Sequence, residues 1–172
     1  MRIPVCGALL ATLMLLALPA AAFDADAIEG VDYAQQPRSE RLIMGQPERE
    51  DLARIAAGGG QHVVNLRGEG EFTDWDAGEL VEPLGMTFHH IPVRDGSALT
   101  RERVQAFDQV LAEIGDAPAL IYCGSGNRVG AMFALRAAWL EGQDVEEAVA
   151  LGREHGLAGL EGRVRELLAK SL

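Results

Sequence analysis

The chain has 172 residues, a formal net charge of −11, 48% hydrophobic residues and 24% charged ones. That length suits one ordinary domain, and the apolar content excludes a disordered chain. Two cysteines exclude a disulfide scaffold and a four-thiolate zinc site. A pI near 4.7 argues against nucleic acid and against an anionic membrane surface as partners, and 5% aromatic residues argue against a base-stacking platform.

In chain order, Arg2 precedes an apolar run over 5–18, followed by Pro19 and the small residues Ala20, Ala21 and Ala22. This is the pattern of a signal peptide over 1–22, with a core shorter than the ~20 residues of a membrane span. The expected location is therefore periplasmic or secreted, with no stable membrane anchor after cleavage. Removal would also take Cys6, leaving Cys123 as the single cysteine. A lone thiol in an oxidising compartment invites a functional explanation.

Residues 23–40 are polar and unpatterned and read as an N-terminal arm; residues 41–172 read as the folded domain. A short strand is expected over 41–44. A helix starts at Gln46 with Pro47 at its first position and stops at Gly58. A β-branched strand follows over 62–66. Thr73 precedes the acidic first turn of a helix, Asp74 to Asp76, which Pro83 and Gly85 end. A third strand covers 86–93 and a loop 94–97. Thr100 is an N-cap for a helix carrying Val104, Phe107, Val110, Leu111 and Ile114 at helical spacing. The fourth strand, 118–122, runs straight into Cys123. An apolar helix covers 129–140. Asp144 with Glu147 resembles a capping box, and a last amphipathic helix covers 160–168. Alternating strands and helices predict an α/β fold with a mainly parallel central sheet flanked by helices.

The stretch Cys123-Gly-Ser-Gly-Asn-Arg128-Val-Gly130 carries the chemistry. Ligands of open α/β sheets bind beyond the carboxyl ends of the strands. Glycines let successive backbone N–H groups turn inward as an anion nest, and the next helix adds its positive end. Arg128 brings a planar fork to two oxygens of an oxyanion. The same positive surroundings favour a thiolate, so Cys123 is expected to be ionised at neutral pH.

These residues, with 63–67, 88–93, Asp95 and the helix opening at Leu99 and Thr100, resemble the protein tyrosine phosphatase superfamily. More narrowly they resemble the DUF442 family, the phosphatase-like domain of beta-lactamase hydrolase-like proteins. The resemblance implies a phosphatase-like fold with Cys123 as nucleophile. It makes Arg128 and the amides of Gly124, Ser125, Gly126 and Asn127 the oxyanion cradle, and Asp95 the general acid. It implies a phosphomonoester substrate, a phosphocysteine intermediate and no metal or organic cofactor. For Asp95, a plain turn role beside Gly96 stays open.

Three features depart from that pattern: four rather than five residues separate cysteine and arginine, position 122 is tyrosine, and position 129 is valine. They fit a rhodanese-like sulfurtransferase carrying a persulfide on Cys123, which stays open beside a non-catalytic module for an oxyanion or a phosphorylated ligand. Other candidates are weaker. His89 and His90 are adjacent in a strand and face opposite ways. Asp74, Asp76 and Glu79 read as a solvated helix start, and Arg67 as either a substrate contact or a surface residue at a strand end.

Overall fold

The structure is a computed structural model that describes residues 22–31, 35–72 and 74–170. The leader expected over 1–22 lies outside these residues except for Ala22, and Thr73 lies outside them too. No helix among the described residues is long and apolar enough to cross a membrane.

Five strands form one sheet: β1 (Gln35–Arg38), β2 (Arg41–Met44), β3 (His62–Asn65), β4 (Thr87–His90) and β5 (Ala119–Tyr122). Their order is β1-β2-β5-β3-β4. All neighbours run parallel except the hairpin of β1 with β2. The expected fold class therefore holds, and the two most apolar strands, β5 and β3, lie inside the sheet. The N-terminal arm is corrected. Its last residues form the edge strand β1, and Phe23 is buried in the core while its N–H donates to the Ser39 carbonyl. Pro37 is tolerated in β1 because an edge strand need not donate on both sides.

Six helices cover the sheet: α1 (Arg49–Ala57), α2 (Ala77–Val81), α3 (Arg101–Ile114), α4 (Asn127–Trp139), α5 (Val145–Glu154) and α6 (Glu161–Ala169). Alternation along each strand sorts the side chains onto two faces. Ile43, Val64, Ile121 and Cys123 pack with α3 to α6. Leu42, Val63, Leu120 and Tyr122 pack with α1 and α2.

Caps explain most helix starts. Thr100 Oγ1 accepts from the Arg103 N–H at 3.4 Å, as expected. Asp144 accepts from the N–H groups of Glu146 and Glu147. Asp76 accepts from Glu79 N–H and starts α2, which a short 3-10 turn over 82–84 extends to Gly85 in left-handed conformation. One start is corrected. Glu48 and Asp51 form a reciprocal capping box, so α1 begins at Arg49 and Pro47 stands before the cap. The third strand is also shorter than expected: pairing ends at His90, although Ile91 and Val93 still donate to the Asn65 and Leu66 carbonyls.

Candidate active site

Cys123 follows the last residue of β5, the middle strand of the sheet, and is fully buried. Its N–H donates to the Met44 carbonyl at 3.4 Å, which ties the start of the loop to β2. Gly45 and Ser125 form an isolated bridge that continues this attachment. Gly126 has φ of +80°, the left-handed region where a side chain is strained, and serves as the N-cap of α4. The loop therefore turns within 124–126 and enters α4 at Asn127, two residues before the expected helix start. Arg128 sits in the first turn of α4.

The guanidinium of Arg128 is held by three separate groups. Nη1 donates to Glu71 Oε2 at 2.7 Å and to the carbonyls of Val93 and Arg94 at 2.7 and 3.0 Å. Nη2 donates to Glu71 Oε1 at 2.6 Å. None of these contacts uses Nε. A Cβ placed on Gly124 would come within 2.9 Å of Arg128 Nη2, so this glycine makes room for the guanidinium over the loop. Hydrogen bonding to Glu71 raises the Arg128 pKa most, burial opposes it, and the adjacent Cys123 adds to the rise.

Glu71, which pairs with Arg128, is the residue of this site that the sequence reading missed. Arg128 hydrogen-bonds its carboxylate and the Gly68 N–H adds another, so its pKa falls from 4.5 to about 2 although partial burial opposes the shift. Arg67 Nη2 lies 3.5 Å from the same carboxylate and donates to the Glu71 carbonyl at 3.0 Å. Arg67 thus belongs to the site's ionic chain, with its guanidinium over the Phe72 ring.

Asp95 lies on the same rim. The loop carrying it is tied to Arg128 through the Val93 and Arg94 carbonyls. Its own carboxylate is engaged elsewhere, accepting from the Ser97 N–H at 2.8 Å and the Ser97 hydroxyl at 2.5 Å. These bonds lower its pKa, the hydroxyl bond most, and the group is exposed. The turn role foreseen as one alternative is the one its side chain performs in this arrangement.

The other predicted residues divide. Gly124 and Ser125 are exposed and border a groove of about 790 Å3 whose far wall is Glu48, Glu50 and Asp51 at the start of α1. The Asn127 side chain is engaged elsewhere: its Oδ1 accepts from the N–H groups of Ala158 and Leu160 and fixes the turn before α6. Tyr122 packs among the α1 and α2 residues, on the opposite face from Cys123, and burial pushes its phenol up. Val129 is fully buried in the core beside α5. His89 contacts His62 at 3.2 Å while His90 contacts the Arg67 carbonyl, the opposed directions expected. Among the described residues, no three His, Cys, Asp or Glu side chains gather as metal ligands would.

Comparisons with known proteins show the family and the fold. The family model "Beta-lactamase hydrolase-like protein, phosphatase-like domain" matches residues 38–140, more than half of the chain. A beta-lactamase hydrolase-like protein of Agrobacterium fabrum is 32% identical over 128 residues, and one of Xylella fastidiosa is 29% identical over 123. Each match covers 69% of this chain but only 28% of the relative, so the chain spans about a quarter of their length. Among solved structures, a DUF442 protein of Shewanella putrefaciens is 22% identical with a TM-score of 0.63, over 86% of this chain and 98% of that one. Tk-PTP in its active form is 20% identical with a TM-score of 0.65, over 82% and 99%. At these identities the two structures establish a shared fold.

Proposed function

This chain belongs to the phosphatase-like domain family of beta-lactamase hydrolase-like proteins, and from that membership we propose that it is a cysteine-dependent phosphomonoester hydrolase. The observation that carries the proposal is the fixed guanidinium. Glu71 holds Nη1 and one N–H of Nη2, and two carbonyls hold Nη1, so Arg128 is fixed above Gly124, next to Cys123. The Nε–H and the second Nη2 N–H are left to meet an oxyanion, side-on, as a phosphoryl group requires.

In the proposed reaction the Cys123 sulfur attacks phosphorus as the bond to the leaving oxygen breaks. That oxygen takes a proton from Asp95 in its acid form, or from water when it is a weak enough base. Water then attacks the phosphocysteine, the S–P bond breaks, and phosphate leaves. Asp95 starts this reaction from an unfavourable state, because Ser97 stabilises its carboxylate. Esters with good leaving groups should therefore be the better substrates. The leader pattern over 1–22 supports a site of action in the periplasm or the medium.

The test is release of phosphate from 4-nitrophenyl phosphate, run beside transfer of sulfur from thiosulfate to cyanide, each with Cys123→Ser. Phosphate release that disappears in Cys123→Ser supports the proposal. Sulfur transfer alone would overturn it in favour of a persulfide carrier. Binding of phosphate with neither activity would leave a binding module.

A further inference from the structure

Strands β3 and β4 run parallel with Val64 opposite His89, so His62 and His89 are diagonal neighbours on one face of the sheet. His62 opens β3, whereas Cys123 follows the last residue of β5, so the pair and the nucleophile lie toward opposite ends of the parallel strands. Both rings are half-buried and reach solvent. Nδ1 of His62 stands 3.2 Å from Nε2 of His89, with the ring centroids 5.4 Å apart and the planes tilted by 31°.

A shared proton accounts for a contact of that length. A metal ion accounts for it equally well. Zinc binds imidazole nitrogen at about 2.0–2.1 Å, so two nitrogens on a tetrahedral zinc stand about 3.3 Å apart. Right-angled nitrogens on a square-planar ion would stand about 2.9 Å apart. The observed separation fits the tetrahedral ion better. The two backbones belong to paired strands, so little ordering is left for a metal to impose. Burial and then the neighbouring His89 hold His62 below the ordinary histidine pKa, which keeps its ring in the neutral form that ligates metal. Of the charged groups that act on His62, Glu113 of α3 favours a cation there and Arg41 of β2 opposes it.

We propose that His62 and His89 form a two-histidine site for a zinc ion that ties the edge strand β4 to β3. The proton in the contact moves to the other nitrogen of its own ring, so Nδ1 of His62 and Nε2 of His89 both turn lone pairs to the metal and the two rings stay neutral. Among the described residues no third His, Cys, Asp or Glu joins them, so water completes the tetrahedron. The site is separate from the Cys123 loop and does not rest on the phosphatase reading.

The probe is zinc chloride, titrated by calorimetry into the chain carrying Cys123→Ser and no affinity-tag histidines. The substitution removes the thiol as a competing ligand. The expected result is one zinc per chain. The ring-nitrogen resonances of His62 Nδ1 and His89 Nε2 should move together on saturation, while those of His90 and His155 stay. His89→Gln keeps an acceptor for a His62 ring N–H but ligates zinc poorly, so affinity should fall at least about tenfold. Zinc should raise the melting temperature of the parent and leave those of His89→Gln and His62→Gln unmoved. No saturable binding, unchanged affinity in His89→Gln, or movement of only one of the two ring nitrogens would overturn the proposal and leave the contact a hydrogen bond. The resonances are read with both histidines in place, so they decide the question even where a substitution unfolds the chain.

Discussion

On one flank of Cys123, α4 and α5 approach so closely that a methyl group on Gly130 would run into the backbone of Gly152 and Leu157. On the other flank, the loop over 67–76 leaves a cavity, two unpaired polar atoms and a surface ion pair. The first flank is dense packing whose polar contacts, such as Leu157 N–H to the Gly152 carbonyl and the Ala158 and Leu160 N–H groups to Asn127 Oδ1, are satisfied within it. The second is a set of charges that hold one another. Cys123 and Arg128 are carried on the dense flank, while the carboxylate that holds Arg128 comes from the loose one. A site divided in this way separates where its residues stand from how they are oriented, and the two are open to separate attack.

Gly130→Ala should produce the largest effect, and it should fall on stability. Nothing at that contact is flexible, because the obstructing atoms are backbone. Overpacking costs about 1–3 kcal/mol and more where backbone must move. At about 3 kcal/mol the melting temperature should drop by roughly 6–12 °C. Thermal unfolding checks this. A melting temperature within a degree of the parent would mean that α4 and α5 are not held as tightly as the geometry says.

Glu71→Gln attacks the loose flank and should leave the fold nearly intact. The pair is partly exposed, with 12% of the Arg128 side chain and 27% of Glu71 accessible, so its loss should cost at most about 1 kcal/mol. The amide keeps one acceptor but loses the charge. On the proposed function, kcat/KM for 4-nitrophenyl phosphate should fall about tenfold as Arg128 loses its alignment. A fall in melting temperature as large as that of Gly130→Ala, with kinetics intact, would make Glu71 structural instead.

The same carboxylate predicts a pH dependence. Its pKa lies at about 2 in the fold against an ordinary 4.5. A lowered carboxyl contributes stability that is complete above 4.5 and is lost as pH falls through 2. The Glu71 side-chain resonance should therefore titrate near 2, and move up toward 4.5 in Arg128→Met.

What could be read from the chain itself follows the same division. Thr100, Asp144 and the passage from Cys123 into α4 are local signals: a cap or a turn is specified within a few residues, and each was legible. Strands β3 and β5 showed as apolar runs because both faces are covered. Glu71 was not legible, since it sits between glycines and phenylalanine with no pattern around it, and its partner lies 57 residues away. Strand β1 was missed for a related reason. Its sequence is polar, and it exists only because β2 offers an edge to pair with. Pro47 misled because the capping box between Glu48 and Asp51 outcompeted it as the helix start.

The smallest effect should come from Ser97→Ala, at the rim between the two flanks. The Ser97 hydroxyl makes the shortest contact to Asp95 and is the main reason that its carboxyl is held low. Without that hydroxyl the backbone N–H of residue 97 still donates, so the turn should survive and Asp95 should move only part of the way back toward its ordinary value. A higher pKa extends the acid form to higher pH. If Asp95 protonates the leaving oxygen, the alkaline limb of kcat/KM for phenyl phosphate should shift to higher pH in Ser97→Ala. The same limb should disappear in Asp95→Asn. With 4-nitrophenyl phosphate, whose leaving group needs little help, both changes should be smaller. An unshifted limb with phenyl phosphate would restrict Asp95 to its turn, and the proton would have to come from water.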